Sequence, residues 1–292
     1  MIFQLQQLLT HSAQRYPDKK AVVFGEDSIT YRELDTITNK IAALLIENGI
    51  KSGDRVGIYV HKSIASIISI FGILKAGAAY VPLDPMASPG RTRAVMRECG
   101  MQALITHAPK AKDAGEVLAS GAGCALSCVI GAGQAETGKA VSIAWDDVDN
   151  AKAAPGIRLL EGDPAYIIFT SGSTGAPKGI LHTHHSGLAY AKRAAALYDL
   201  RPGDRLSNHS PLHFDMSTFD YLSGPLAGAT TIIISEQHAK MPASLSKLIE
   251  AERLTHWYSV PFALTQLLEF GVLEKRDLDS LRWVMFGGEP FP

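Results

Sequence analysis

The sequence predicts an α/β protein built from two helix-covered, mostly parallel sheets. Two observations carry this prediction. Short apolar runs of strand length alternate with longer segments of helical period, the pattern of strands joined by crossover helices. A Gly-Asp-Arg turn between a helix and a strand also occurs twice, at Lys51-Ser52-Gly53-Asp54-Arg55-Val56 and at Arg201-Pro202-Gly203-Asp204-Arg205-Leu206. Such an echo suits two related halves, although turn chemistry alone favours Gly-Asp at these places and leaves duplication open.

In chain order, Leu5, Leu8, Leu9 and Ser12 fall at helical spacing, and that helix stops before Pro17. Thr30-Tyr31-Arg32-Glu33 has the form of a capping box, with Thr30 as N-cap and Glu33 three residues on. The helix that it opens carries Leu34, Ile37, Ile41, Leu44 and Leu45 and ends near Gly49. Arg55–Val60 reads as a strand, Ser63–Lys75 as a buried helix and Ala79–Leu83 as the next strand. Further strands are expected at Ala103–Thr106, Ala165–Thr170, Thr230–Ser235, Trp257–Val260 and Trp283–Phe286. Helices are expected at Ser186–Tyr198, Ser217–Leu226, Leu245–Glu252 and Phe262–Phe270. The Gly- and Ala-rich stretch 121–156 has weak periodicity and reads as a looser connection between the halves.

A chain of 292 residues can bury a substantial core in one large domain or two smaller ones. Its 46% hydrophobic and 20% charged residues are ordinary for a soluble globular protein. With 28 Lys plus Arg against 29 Asp plus Glu, bulk charge gives no argument for nucleic acid or an acidic membrane surface. Cys99, Cys124 and Cys128 are too few and too irregular for a disulfide framework or a zinc site, which suits a reducing cytoplasm. The first ten residues lack the basic start and apolar run of a signal peptide. The longest uncharged apolar stretch, from Ser63 to Lys75, is well short of the ~20 residues of a membrane span.

The chemistry concentrates in Ala165-Tyr166-Ile167-Ile168-Phe169-Thr170-Ser171-Gly172-Ser173-Thr174-Gly175-Ala176-Pro177-Lys178-Gly179. An apolar strand runs directly into glycines and hydroxyls and then a lysine. Glycines let a backbone approach a ligand closely, successive N–H groups make a concave anion site, and a lysine adds a point charge suited to phosphate. A Gly/Ser/Thr connector is the plainer alternative, but Pro-Lys-Gly and the preceding strand suit it poorly. The spacing excludes a Walker loop, because Pro177 stands five positions after Gly172, and it excludes the hydrolase elbow, because Ser171 stands where a glycine is needed. The Gly pairs at 121/123 and 131/133 do not complete a dinucleotide fingerprint.

Phe169–Gly179 resembles the signature loop of the adenylate-forming superfamily, which includes acyl-CoA synthetases, luciferases and amino-acid adenylation domains. Ile29-Thr30-Tyr31-Arg32-Glu33-Leu34 and Leu74-Lys75-Ala76-Gly77-Ala78-Ala79-Tyr80-Val81-Pro82-Leu83-Asp84-Pro85 resemble two of its scaffold elements, in the same order. The resemblance implies ATP and Mg²⁺ as cofactors. It implies phosphate contacts from Thr170, Ser171, Gly172, Ser173, Thr174, Gly175 and Lys178, with Thr174 and Lys178 as the catalytic candidates.

His213-Phe214-Asp215-Met216-Ser217 bears on the substrate. Asp215 precedes a helix-like segment and could simply be an N-cap. Helical spacing would instead put Asp215 on one face with Phe219 and Leu222, where a carboxylate needs a cationic partner. Phe214-Asp215-Met216-Ser217 also resembles the Phe-Asp-x-Ser element of amino-acid-activating members, whose Asp holds the α-amino group. By that match Met216 and Phe219 line the side-chain pocket, against an apolar core as their plainer role; Phe262 is counted with them on the substrate side. Val284–Pro290 resembles the Gly-rich segment that flanks adenine and the pocket, which places Gly287, Gly288 and Glu289 on the adenine side. His182, His184 and His185 are read as ending a strand and beginning a helix rather than as a metal site.

The resemblance therefore implies activation of an amino-acid carboxylate as its aminoacyl-AMP, with pyrophosphate released. Transfer to the phosphopantetheine arm of a carrier protein is the expected next step, with an acyl-CoA ligase for a non-amino acid as the alternative. Positioning and charge stabilisation would do most of the catalysis. The family's Tyr-Gly-Pro-Thr-Glu segment, its ribose-binding Asp and its small C-terminal domain do not occur in the sequence. Residues 1–292 are accordingly expected to be an N-terminal adenylation domain, apparently truncated, with little activity alone.

Overall fold

The structure, a computed structural model, describes residues 2–119, 124–133, 135–152, 156–171 and 177–290. Its strands are β1 (Lys20–Phe24), β2 (Asp27–Thr30), β3 (Arg55–Tyr59), β4 (Ala79–Pro82), β5 (Ala103–Thr106), β6 (Cys128–Ile130) and β7 (Val141–Ile143), followed by β8 (Pro164–Ser171), β9 (Pro177–Thr183), β10 (Arg205–Asn208), β11 (Thr230–Ile233), β12 (His256–Ser259) and β13 (Trp283–Phe286). One sheet has the order β7-β6-β5-β3-β4-β8-β9 and the other β13-β12-β10-β11-β1-β2. Neighbours run parallel except at the β1–β2 and β8–β9 hairpins. The predicted α/β class with two helix-covered sheets is the observed one.

The capping box closes as the sequence predicts. Glu33 N–H donates to Thr30 Oγ1 at 3.2 Å, and Thr30 N–H donates to Glu33 Oε2 at 2.8 Å. The helix Tyr31–Glu47 packs on Ile64–Lys75, which is apolar all round because it lies between the sheets and touches β1, β3 and β4. Gly72 allows that packing: a Cβ there would lie 2.4 Å from Ile41 Cγ2. Lys75 ends the helix with its ammonium 2.7 Å from both Asp35 Oδ1 and Asn39 Oδ1.

The two Gly-Asp-Arg turns prove to be one device used twice. Asp54 Oδ2 accepts from Lys51 N–H at 2.8 Å and Asp204 Oδ2 from Arg201 N–H at 2.7 Å. Each Arg opens the central strand of its sheet: β3 lies between β5 and β4, and β10 between β12 and β11. The registers match as well, with Arg55 opposite Ala79 and Val56 opposite Ala103, and with Arg205 opposite Thr230 and Leu206 opposite His256. Turn chemistry alone does not set strand order and register, so the correspondence favours duplication.

Two expectations need correction. The stretch 121–156 contributes β6, β7 and the 3₁₀ turn Trp145–Asn150 to the edge of the seven-stranded sheet, and as far as it is described it does not join the halves. The predicted helix Ser217–Leu226 is a 3₁₀ turn at Asp215–Ser217, a π turn at Phe219–Ser223 and one α turn at Gly224–Ala227. Ser217 and Thr218 hydroxyls donate to the carbonyls of Phe214 and Asp215, competing with regular helix, and Pro225 withholds an N–H. The hairpin β1–β2 and the helices Pro89–Glu98 and Ala108–Ala119 were not foreseen.

Candidate active site

The hairpin β8–β9 presents the loop singled out by the sequence. Ala165–Ile168 are buried, and Gly179 pairs with Phe169 where a Cβ would meet Ile167 at 2.8 Å. Thr170 stands opposite Lys178 across the ladder; both are exposed, with Thr170 Oγ1 donating to Lys178 O at 3.5 Å. The hairpin therefore offers a hydroxyl and an ammonium side by side at its turn end, a fit for phosphate. Gly172, Ser173, Thr174 and Gly175 lie outside the described residues, as does the Ser171 side chain.

Beside Thr170 lies a cavity of about 390 Å³, lined by Asp84, Arg91, Phe169, His182, His213 and Asp215 among others. A cavity of about 810 Å³ lies between the helix Ala108–Ala119 and the end of β6, but it holds none of the residues that the sequence marks. Convergence of polar groups therefore selects the smaller space. Asp215 is exposed at this cavity, the first residue of the 3₁₀ turn, and Phe214 rather than Asp215 is the cap. Its negative charge opposes ionisation of the Tyr166 and Tyr258 hydroxyls and favours a proton on His182, although burial outweighs this on the imidazole.

Asp215 does not share a face with Phe219 and Leu222, which are fully buried. The reason is the irregular turn: 3₁₀ and π segments advance by angles other than that of an α-helix, so helical spacing misplaces the residues. Phe219 is 1% exposed, edge-on to both Tyr198 and Tyr258 at 5.7 Å between ring centres. Met216 is half-buried, and Phe262 is 64% exposed near the start of the helix Pro261–Phe270. Gly287 and Gly288 follow β13; Gly288 has φ +94°, a conformation that favours glycine. Glu289 Oε1 accepts from the Phe262 N–H at 2.7 Å and so pins this segment to a helix N-terminus.

The sequence reading missed the acid next door. Asp220 is buried, and Asn208 Nδ2 donates to its two carboxyl oxygens at 3.1 and 3.3 Å. Tyr221 hydroxyl donates to Asn208 Oδ1 at 3.1 Å. Burial pushes the Asp220 carboxyl well above the usual carboxylate range. Lys62 spans from the other sheet, donating to the Asn208 and His209 carbonyls at 3.3 and 2.8 Å, and burial brings its ammonium down to about 8. Together these groups fix the loop that carries Asp215. An acid between Phe219 and Tyr221, following a buried strand, was the available signal.

The three histidines point to different partners. His182 stacks on Tyr166 at 4.4 Å, His185 faces Glu161 at 3.6 Å, and His184 opens the helix His184–Leu197 with its Nδ1 accepting from Leu5 N–H at 3.1 Å. Burial drives His184 down to about 4, so the native state holds it neutral while the unfolded chain protonates it near pH 6.5. Stability from this group is complete above pH 6.5 and is lost as pH falls toward 4, up to about 3 kcal/mol. His184→Asn, which keeps an acceptor for Leu5, is expected to flatten that acid-side slope in urea unfolding at pH 7 and pH 4.5.

Comparison with known proteins places this geometry. Residues 9–292 match the family model described as AMP-binding enzyme. The chain belongs to the AMP-binding enzyme family. Over 99% of its length it is 32% identical to the L-proline–[L-prolyl-carrier protein] ligase of Pseudomonas fluorescens, of which it spans 56%. It is 32% identical over 99% of its length to a segment of gramicidin S synthase 2 of Brevibacillus brevis, spanning 6% of that protein. Among solved structures, the nonribosomal peptide synthetase FmoA3 superposes with a TM-score of 0.82 at 30% identity, covering 99% of this chain and 29% of that one. The chain thus spans about half of the first relative and smaller parts of the others. No described helix is long and apolar enough to cross a membrane.

Proposed function

We propose that this chain is the large N-terminal domain of an ATP-dependent ligase that activates an amino acid as its aminoacyl-AMP for delivery to a carrier-protein thiol. The observation that carries the reading is Asp215, an exposed carboxylate at a cavity that also holds Thr170, at the turn end of the hairpin bearing Lys178. Both relatives' names, a carrier-protein ligase and a peptide synthase, support it.

Bound ATP would supply the electrophilic α-phosphate and the pyrophosphate leaving group. Lys178 and Thr170, with Ser171, Gly172, Ser173, Thr174 and Gly175, hold the phosphates. Asp215 takes the substrate ammonium and thereby aims its carboxylate at the hairpin, so that the chain contributes positioning and charge rather than covalent chemistry. Gly287, Gly288 and Glu289 border the adenine side. When bound with ATP, Mg²⁺ would neutralise charge on the departing phosphates.

The test is ATP–pyrophosphate exchange by the full gene product across a panel of amino acids and plain carboxylic acids. Exchange that requires an α-amino group supports the reading. Equal exchange with the corresponding plain acids would replace it with an acyl-CoA ligase.

A further inference from the structure

The two sheets share a topology as well as a turn. In one, the chain leaves β3 for β4 on one side and returns as β5 on the other; in the second it leaves β10 for β11 and returns as β12. Each central strand thus ends where the strand order reverses, the place at which open α/β sheets bind their ligands. After β10 that place carries the Asp215 loop, and after β3 it carries the turn His61-Lys62-Ser63. That turn reaches across to the other half. Lys62 Nζ donates to the Asn208 and His209 carbonyls, where β10 ends, and His61 Nδ1 lies 3.0 Å from Glu236 Oε1, just past β11.

Beyond those carbonyls the loop is closed on itself. Asn208 Nδ2 donates to both Asp220 carboxyl oxygens, which ties the end of β10 to the far side of the loop. Inside, Ser217 Oγ donates to the Leu212 and Phe214 carbonyls at 3.1 and 2.7 Å, and Phe214 N–H donates to Pro211 O at 3.1 Å. A loop stiffened in this way moves as one body, so its placement is decided at its root. Lys62 stands at that root, half-buried, and its charge-assisted bonds are stronger than those of a neutral donor. The tie matters because the candidate site is split between the sheets. Thr170 and Lys178 belong to the β8–β9 hairpin of the seven-stranded sheet, as Lys62 belongs to the turn after its β3, whereas Asp215 follows β10 of the six-stranded one.

We propose that Lys62 is a positioning residue of the adenylation site, holding the Asp215 loop of one sheet at a fixed distance from the hairpin that bears Thr170 and Lys178 in the other. The inference rests on the amino-acid reading above. A ligand with its ammonium at Asp215 and its phosphate at the hairpin spans both sheets, and it binds well only when the two anchors are spaced to match it. Lys62 does not line the cavity and acts through the loop alone. Without its ammonium the loop keeps its internal bonds but loses this tie to the opposite sheet. The amine contact then weakens while the contacts at the hairpin remain. Lys62→Arg keeps the charge and the donors, and so keeps the tie.

The experiment measures the affinity of the full gene product for the 5′-sulfamoyladenosines of L-alanine and of propionate, stable adenylate mimics that differ only in the amine. Wild type is expected to prefer the alanyl mimic. In Lys62→Met that preference should shrink by about tenfold or more, with the propionyl affinity held. Lys62→Arg should retain it. The ratio of the two affinities is the readout that a merely structural role would not move, since general loosening weakens both mimics alike. Thermal melting shows which variants keep the fold. Should Lys62→Met fail to fold, Lys62→Gln, which keeps a neutral donor, takes its place under the same criterion. An unchanged ratio in a folded variant, or equal losses for both mimics, overturns the positioning role and leaves the amino-acid reading standing. Equal wild-type affinity for the two mimics overturns that reading, and this proposal with it.

Discussion

Asp215→Ala is expected to weaken binding of an amino-acid ligand by roughly 30- to 1000-fold and to leave the melting temperature almost unchanged. The carboxylate is exposed when the cleft is empty, so its removal costs the free protein little. In the proposed reading, a ligand that covers the cleft makes the same group the counter-charge of a desolvated ammonium, and truncating one partner of such a pair costs about 2–4 kcal/mol. Tyr166, Tyr258 and His182 stand close enough to Asp215 to sense its charge but carry none of their own to replace it at neutral pH. Paired alanyl and propionyl sulfamoyladenosines isolate the effect: the alanyl mimic should lose affinity and the propionyl mimic should not. Equal losses for both would mean that Asp215 shapes the loop without contacting the amine.

Asn208→Leu should be the most damaging change near the site for stability, at about 3–5 kcal/mol. It removes the donor to both oxygens of the buried Asp220 and the acceptor of the Tyr221 hydroxyl, leaving two buried polar groups without partners. The pH dependence has a definite sign. Burial already raises the Asp220 carboxyl, so the native state binds more protons than the unfolded chain above about pH 4, and stability from this group falls as pH rises toward the raised value. Losing the Asn208 donor raises that value further, so the damage in urea unfolding should grow as pH rises. Asp220→Asn in wild type should remove the slope. A pH-independent loss would assign the cost to packing alone.

Much of the architecture could be read from the chain because local signals and burial agreed. Thr30 and Glu33 formed the expected capping box, and the apolar segment from Ser63 to Lys75 proved to be the helix between the sheets. The Gly-Asp-Arg turns marked the central strand of each sheet. Three-residue strands such as β6 and β7 escaped notice because their pairing, rather than their sequence, makes them strands. At the candidate site, three residues that the sequence singled out by their chemistry come near one another: Thr170 and Asp215 at one cavity and Lys178 opposite Thr170. Phe219 was given a face in common with Asp215, which the structure does not show, because the turn after Asp215 abandons the α-helical angle, and that choice depends on hydroxyl–carbonyl bonds invisible to periodicity. Asp220 was overlooked because its partners Asn208 and Lys62 come from other elements, Lys62 from the opposite sheet's half of the chain.

The pairing of β1 with β11 has a consequence for how the chain is made. Val22 lies opposite Thr231 and Val23 opposite Ile232, so the first hairpin completes a sheet whose other strands begin only at Arg205. A ribosome adding about 5–20 residues per second would leave that hairpin waiting for some 10–40 s before its partner strand is synthesised. The seven-stranded sheet has its β3, β4 and β5 close together in the chain and can begin to assemble in that interval. The second sheet, and with it the loop that carries Asp215, is bound to finish last, since loop closure over such a separation is slow and an unpaired apolar edge is open to foreign strands meanwhile. Chaperone demand during synthesis should therefore track the strand edge left waiting at Val22–Val23, and shortening the delay by slowing neither half but circularly joining the hairpin to β11 should relieve it.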